Sequence, residues 1–342
     1  MDPLSHGVVG AIAAQNLARR ADIRLATLAG FGAALLPDVD VFIRSPNDPL
    51  LFLDFHRHFT HALLMVPVGG LVAAALLWPF LRGRLSFPRL YLFTTVGYFT
   101  HGLLDACTTY GTYLLWPFSD VRVAWHNIAV IDPLFTLPLL ALILWACWRR
   151  AHVPGRVALV LGLVYLLLGV VQRERADALL ERVAAAEGHP IERGGAKPTL
   201  GNLVLWRGVY EHQGRMYAVA LRPGLFGPDR AGPVSGVDAF DLARDLPQVR
   251  DGTRLFRDIQ RFDHFSDRWL VWVPGHDDII GDFRYALLPG RTQPIWGIRV
   301  DPSQPERHVD YVTLRAVTDR DWQQYWCKIR GSCLPVFPPA RG

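Results

Sequence analysis

The stretch Ala62–Leu81, ALLMVPVGGLVAAALLWPFL, decides the fold: it runs for 20 residues without a charge. As a helix rising 1.5 Å per residue it reaches about 30 Å, the thickness of a bilayer's hydrocarbon core. Working outward, Ile128–Cys147 (IAVIDPLFTLPLLALILWAC) has the same length with one carboxylate, Asp132, and Val157–Val171 (VALVLGLVYLLLGVV) is almost wholly apolar. Two more runs, LATLAGFGAALLPDVDVF and YLFTTVGYFTHGLLDACTTYG, are apolar but interrupted by Asp38, Asp40, His101 and Asp105. GVVGAIAAQNLA, near the start, covers only 12 residues, short enough for a half-crossing. The expectation is an α-helical polytopic membrane bundle of about five or six apolar helices in residues 1–172. A helix and Gly/Pro linker (173–200) and a soluble α+β domain rich in β-strands (201–342) follow.

The net charge of +5 needs no nucleic-acid partner, because the arginines cluster at the edges of apolar runs. Arg19, Arg20 and Arg24, then Arg82, Arg84 and Arg89, then Arg149, Arg150 and Arg156 mark three connections as cytoplasmic by the positive-inside rule. Alternation sends His6, Asp38–Asp40, His56–His61, His101–Asp105 and Asp120–Asp132 to the opposite face, and everything after about Gln172 out of the cytoplasm. Asp2 and His6 precede the first apolar run with no basic region, so no cleavable signal is expected. Of four cysteines, Cys107 and Cys147 end apolar runs and read as packed thiols. Cys327 and Cys333 would pair only in an oxidising compartment, and the sequence leaves both states open.

Four polar motifs meet at the non-cytoplasmic face. His6 precedes the first apolar helix, where a lone histidine is ordinarily a polar anchor. PDVD (Pro37–Asp40) ends the second apolar run with two carboxylates where a helix dipole disfavours them, unless a cation is present. An extended backbone there would point Asp38 and Asp40 the same way. HRHFTH (His56–His61) places three histidines around Arg57; His56 and His61 are the stronger ligand candidates, and a helix would set His58 and His61 on one face. In HGLLD, His101 and Asp105 at i,i+4 share a helix face. Ionisable groups within an apolar segment are costly and face a bundle interior or cavity; the bland alternative is a hydrogen-bonded pair that glues helices. Together these are four histidines and three carboxylates without a thiolate, more than a closed zinc site needs. The surplus suits an open catalytic site or a two-ion site for Zn²⁺, Mn²⁺ or Fe²⁺. Asp132, His126 and Asp120 are outer candidates to orient a ligand or position water.

In order and spacing, the histidine near the start, PDVD, HRHFTH and HGLLDACTTYGTYLLWPFS resemble the YdjM-type inner-membrane proteins over residues 1–172. The resemblance implies a metal-dependent hydrolase in a bacterial inner membrane, with His6, Asp38, His56, His61, His101 and Asp105 at the family's polar positions. A more distant similarity links the same His and Asp order to the zinc-dependent phospholipase C and P1 nuclease superfamily. The chain departs from that group in its membrane character and its single H-x-x-x-D.

In the soluble half, LVLWRGVYEHQGRMYAVALRPG reads as a hairpin turning at HQGR. Further strands are expected at RWLVWVPG, GDFRYALLP, PIWGIRV and DYVTLRAV, and a helix at DRDWQQYWCKI. No nucleotide loop or nucleophile elbow accompanies them. The expected activity is attack of metal-activated water on an ester or phosphoester, a lipid phosphoester being the natural candidate because it would arrive from the bilayer. His6, Asp38, His56, His61, His101 and Asp105 are the expected ligands, with Arg57, Asp40 and Asp132 in catalytic support. The rivals are a metal-binding membrane protein without hydrolysis, a transporter, and a polar helix-packing network. Transport predicts polar groups at mid-membrane and repeated halves, and neither is read here. Paired histidines also suit haem, but the aspartates argue against it.

Overall fold

In the computed structural model, which describes residues 1–225 and 227–338, the chain divides into two compact units. The first comprises Met1–Ile43, Phe55–Val171 and Leu200–Leu203; the second comprises Arg44–Asp54, Gln172–Thr199 and Val204–Gly342.

The first unit is helical: α1 (Pro3–Leu17), α2 (Ile23–Ala34), α4 (Val66–Leu81), α5 (Phe87–Ala106), α6 (Pro133–Arg149) and the start of α7 (His152–Ala186), while the short α3 (Leu51–Phe55) belongs, as far as Asp54, to the second. Among the described residues three helical runs are long and apolar enough to cross a membrane: Arg20–Phe42, Leu63–Leu81 and His152–Ala186. This corrects the expected five or six. Helix α1 has 15 residues, about 22 Å at 1.5 Å each, and most of its side chains are buried. Helix α5 has the length, at 20 residues, but Arg89, Thr94, Thr95, His101 and Asp105 dilute its apolar character. Helix α6, at 17 residues, is apolar but short.

Close backbone approach holds α1, α2 and α5 together. A Cβ on Gly30 would come within 2.4 Å of the Gly10 carbonyl, and one on Gly97 within 2.4 Å of the Gly30 carbonyl. Without hydrophobic drive between helices in lipid, such small-residue contacts supply the packing. Around them Ala14, Ala26, Ala29, Ala74, Leu90 and Phe93 form one core, and Val8 and Ile12 of α1 with Phe135, Leu139 and Ile143 of α6 belong to another.

The second unit takes up the rest of α7, whose Ala176, Leu179, Leu180 and Val183 pack on a sheet with Trp206, Tyr210 and Val219. The strands are β1 (Arg193–Pro198), β2 (Trp206–His212), β3 (Arg215–Arg222), β4 (Arg230–Ala231) and β5 (Ser235–Asp238); their order is β1-β2-β3-β4, with β5 also on β3. The helices α8 (Leu242–Asp245) and α9 (Arg254–Phe265) precede a second antiparallel sheet, β6 (Leu270–Trp272), β7 (Ile279–Asp282), β8 (Trp296–Arg299) and β9 (Asp310–Thr313), and α10 (Asp319–Arg330) follows it. The β2–β3 hairpin turns at Gln213 and Gly214 (φ 49° and 69°), the left-handed pair a two-residue hairpin requires.

Two expectations change here. The Gly/Pro stretch is not a linker throughout, since Arg193–Pro198 pairs residue for residue with Trp206–Glu211. GDFRYALLP leaves its strand at Asp282, where the carboxylate accepts from Arg284 N (3.1 Å) and side chain (2.8 Å), turning the chain away. Cys327 and Cys333, left open by the sequence, are joined as a disulfide with Cα atoms 5.4 Å apart.

Candidate metal centre

Pro37 stops the helical ladder after α2, and Pro37–Phe42 tightens into a 3₁₀ turn carrying Asp38 and Asp40. This is not the extended segment expected, and the two carboxylates reach opposite ring nitrogens of His61, Asp38 facing Nε2 and Asp40 facing Nδ1. Next, Arg57 adopts a left-handed backbone (φ 65°). Its N–H donates to Asp40 Oδ2 (2.9 Å), and its carbonyl accepts from Tyr113 N (3.3 Å) and Thr112 Oγ1 (3.1 Å). These long-range bonds interrupt any helix through HRHFTH, so the helix face expected for His58 and His61 does not form. His58 goes instead among Tyr113 and Trp116 (ring centroids 5.0 and 5.4 Å), and His61, in the 3₁₀ turn Phe59–His61, turns inward.

There His61 meets His101 and Asp105, which α5 presents on one face. His101 Nδ1 lies 2.6 Å from the Ala34 carbonyl. A carbonyl only accepts, so Nδ1 carries the proton and Nε2 offers a lone pair inward. His61 Nδ1 is held by Thr60 Oγ1 (2.9 Å) and Asp40 Oδ2 (3.3 Å), which turns its Nε2 inward too. The two Nε2 atoms are 2.9 Å apart. Asp105 Oδ2 lies 3.2 and 3.5 Å from them, and Asp38 Oδ1 3.6 and 3.4 Å. A tetrahedron of N and O ligands with bonds of 2.0–2.1 Å has edges of about 3.3–3.4 Å, close to these separations. Asp105 Oδ2, fully buried, accepts no hydrogen bond. Two ring nitrogens and two carboxylate oxygens this close to one another are compatible with a divalent cation. His61, His101 and Asp105 are buried completely, whereas the Asp38 side chain is 23 % exposed, so the group opens at Asp38.

A second group shares Asp38: Asp38, Asp40 and His56 offer atoms within 4.8 Å of one another. Here Asp40 is already engaged, Oδ1 with His56 Nδ1 (2.8 Å) and Oδ2 with Thr60 Oγ1 (2.8 Å) and Arg57 N. It stands behind both histidines as the carboxylate that orients them. His6 lies outside both groups; its Nε2 faces the opposite oxygen of Asp105, Oδ1, at 3.2 Å, and its ring stacks on His101 at 3.6 Å. Arg57 Nη2 (3.3 Å) and the Met1 ammonium also reach Asp105 Oδ1. Arg57 continues to Thr108 Oγ1 (3.0 Å) and lies over the Tyr110 ring at 4.6 Å. The structure therefore directs Arg57 at a carboxylate of the cluster.

Asp132 is placed elsewhere. It caps α6, accepting from Leu134 N (3.1 Å) and Tyr165 OH (2.8 Å), and neither His126 nor Asp120 joins a ligand group among the described residues. Sequence reading missed Thr60, Thr108 and the Ala34 carbonyl. Thr60 stood within HRHFTH, but nothing local distinguished the other two.

Known proteins agree with this picture in extent. No solved structure matches the chain. YfhP of Bacillus subtilis (strain 168) is 31 % identical over 164 residues, 47 % of this chain and 48 % of that protein. The inner membrane protein YbcI of Escherichia coli (strain K12) is 37 % identical over 106 residues, 30 % of this chain and 60 % of that protein. The matches thus span about half to three-fifths of these relatives. The sequence profile of the YdjM inner membrane proteins matches residues 1–176, the region that carries every residue of both ligand groups, and the chain belongs to that family.

Proposed function

We propose that the protein is a membrane-bound metal-dependent hydrolase acting on an ester or phosphoester at the extracytoplasmic membrane face. The observation that carries this reading is the convergence of Asp38, His61, His101 and Asp105, a buried four-donor set with one edge open. A zinc, manganese or iron ion held there would supply Lewis acidity, lowering the pKa of a water and polarising the scissile group. Two histidines and two carboxylates without thiolate fit any of these three metals. Asp38, Asp40 and His56 would hold a second ion, Asp38 being common to both groups.

The chain's own residues would do the rest. Asp40 fixes the ring orientation of His56 and His61. Arg57 neutralises Asp105 and, on gaining an anionic substrate oxygen, could turn its fork toward it. His6 backs the far oxygen of Asp105. Extracytoplasmic placement is supported by the arginine distribution and by the Cys327–Cys333 disulfide. A transporter or a non-catalytic metal protein is the rival, and the position of the polar groups at one end of the helices favours hydrolysis over transport.

Elemental mass spectrometry of detergent-purified protein tests the reading, wild type beside His61→Ala and Asp105→Ala. One or two equivalents of transition metal, lost in both variants, together with metal-dependent hydrolysis of bis(p-nitrophenyl) phosphate or a p-nitrophenyl ester, are expected. Folded wild type that stays metal-free on titration would leave a helix-packing network as the account.

A further inference from the structure

The depth of the cluster carries information about its substrate. Asp38 and Asp40 lie in the turn that ends the run Arg20–Phe42, His61 lies two residues before the run Leu63–Leu81, and Asp105, 3.2 Å from His61 Nε2, shares their level. Groups at the ends of membrane-crossing helices sit at the level of lipid head groups. The connection from α5 to α6 packs there as well. Its main chain is bonded to the histidine segment through Tyr113 N to Arg57 O (3.3 Å) and Leu63 N to Leu114 O (2.9 Å), and to the end of α5 through Trp125 N to Ala106 O (2.6 Å).

With its backbone satisfied inward, this segment turns Leu115, Phe118, Val121 and Trp125 outward, at 52, 83, 66 and 42 % exposure. Four large apolar side chains exposed within 11 residues do not suit a water-facing loop. Leu71, Leu76 and Phe80 are likewise exposed along α4. Arg122 sits among them, its guanidinium over the Tyr113 ring at 5.6 Å. Tryptophan and arginine beside exposed aliphatic and phenyl groups is the chemistry of the membrane interface.

We propose that Leu115, Phe118, Val121 and Trp125 form a rim inserted into the head-group layer, and that the metal centre's substrate is a membrane phospholipid taken up beside this rim and cleaved at its head-group phosphoester. The proposal rests on the hydrolase reading above. In the reaction the oxygen of water bonds to phosphorus, the bond from phosphorus to one bridging oxygen breaks, and the departing oxygen takes the proton that water gives up. No oxidant or reductant is required.

Full-length protein in nanodiscs of phosphatidylethanolamine and phosphatidylglycerol tests both parts. Fluorescence in discs of acyl-chain-brominated lipid is compared between wild type and Trp125→Phe. Loss of a bromine-quenched component in Trp125→Phe is expected, and a component quenched by aqueous iodide but not by brominated lipid overturns the rim. Metal content is then verified on zinc-loaded protein, and the lipid phosphorus resonances are followed by NMR. Conversion of a lipid resonance, reduced about tenfold in Phe118→Ser/Val121→Ser, is expected. Hydrolysis of bis(p-nitrophenyl) phosphate with every lipid resonance unchanged overturns the lipid substrate while the hydrolase reading survives. Zinc bound with neither substrate turned over overturns the hydrolase reading, and the lipid assignment with it.

Discussion

Asp40 shows how much one carboxylate can decide without reaching the centre of the cluster. Its two oxygens hold His56 Nδ1, Thr60 Oγ1 and the Arg57 amide, so it fixes two rings and one turn at once. Asp40→Asn keeps the shape but replaces one acceptor oxygen by a donor. Metal affinity is expected to fall about 10- to 100-fold, measured by chelator competition, while His61→Ala abolishes binding. A different buried residue governs pH dependence in the second unit. Burial, and then the charge of Arg284, lowers the Lys197 pKa from 10.5 to about 8. Between those values the unfolded chain binds more protons than the folded one, so stability rises with pH across that window. Below about 8 the cost of burying the ammonium is fully present, and above 10.5 it is gone. Thermal melts at about pH 7 and about pH 9.5 should therefore show the wild type gaining stability more than Lys197→Met does.

Among the elements, α5 matters most, because it carries His101 and Asp105 and is approached by two other segments through glycines. A Cβ on Gly102 would stand 2.4 Å from the His61 carbonyl, and backbone cannot yield as a flexible side chain would. Gly102→Ala should displace His61 from His101, costing about 1–3 kcal/mol of stability and most of the bound metal. Gly83→Ala is the control, since a Cβ there meets nothing within 4 Å. Melting temperature and metal content measured on both would separate local displacement from a general effect of adding a methyl group. The i,i+4 placement of His101 and Asp105 was legible because a helix has one period. The course of HRHFTH was not, because the left-handed Arg57 is held by Asp40, Thr112 and Tyr113, partners between 17 and 56 residues away in sequence.

For the molecule as a whole, compartment and topology are linked through Cys327 and Cys333. With the second unit on the oxidising side, protein purified without reductant should resist alkylation at both residues until reduced, as read by peptide mass spectrometry. Alkylation of both before reduction would place that unit in the cytoplasm and reverse the topology drawn from the arginines.

The membrane character of the first half, the hairpin at HQGR and the joint presence of histidines and carboxylates near the ends of apolar runs follow from sequence alone. Each rests on a local quantity: length without charge, a two-residue turn, or helical spacing. The number of runs that can cross a membrane did not follow, since α1 and α5 are apolar in windows but too short or too polar as whole helices. Tertiary structure also decided that Asp40 stands behind the histidines, that Asp132 caps a helix and that Arg57 faces Asp105. Those assignments depend on which side-chain atoms meet across segments distant in sequence, and only the packed chain brings them within bonding distance.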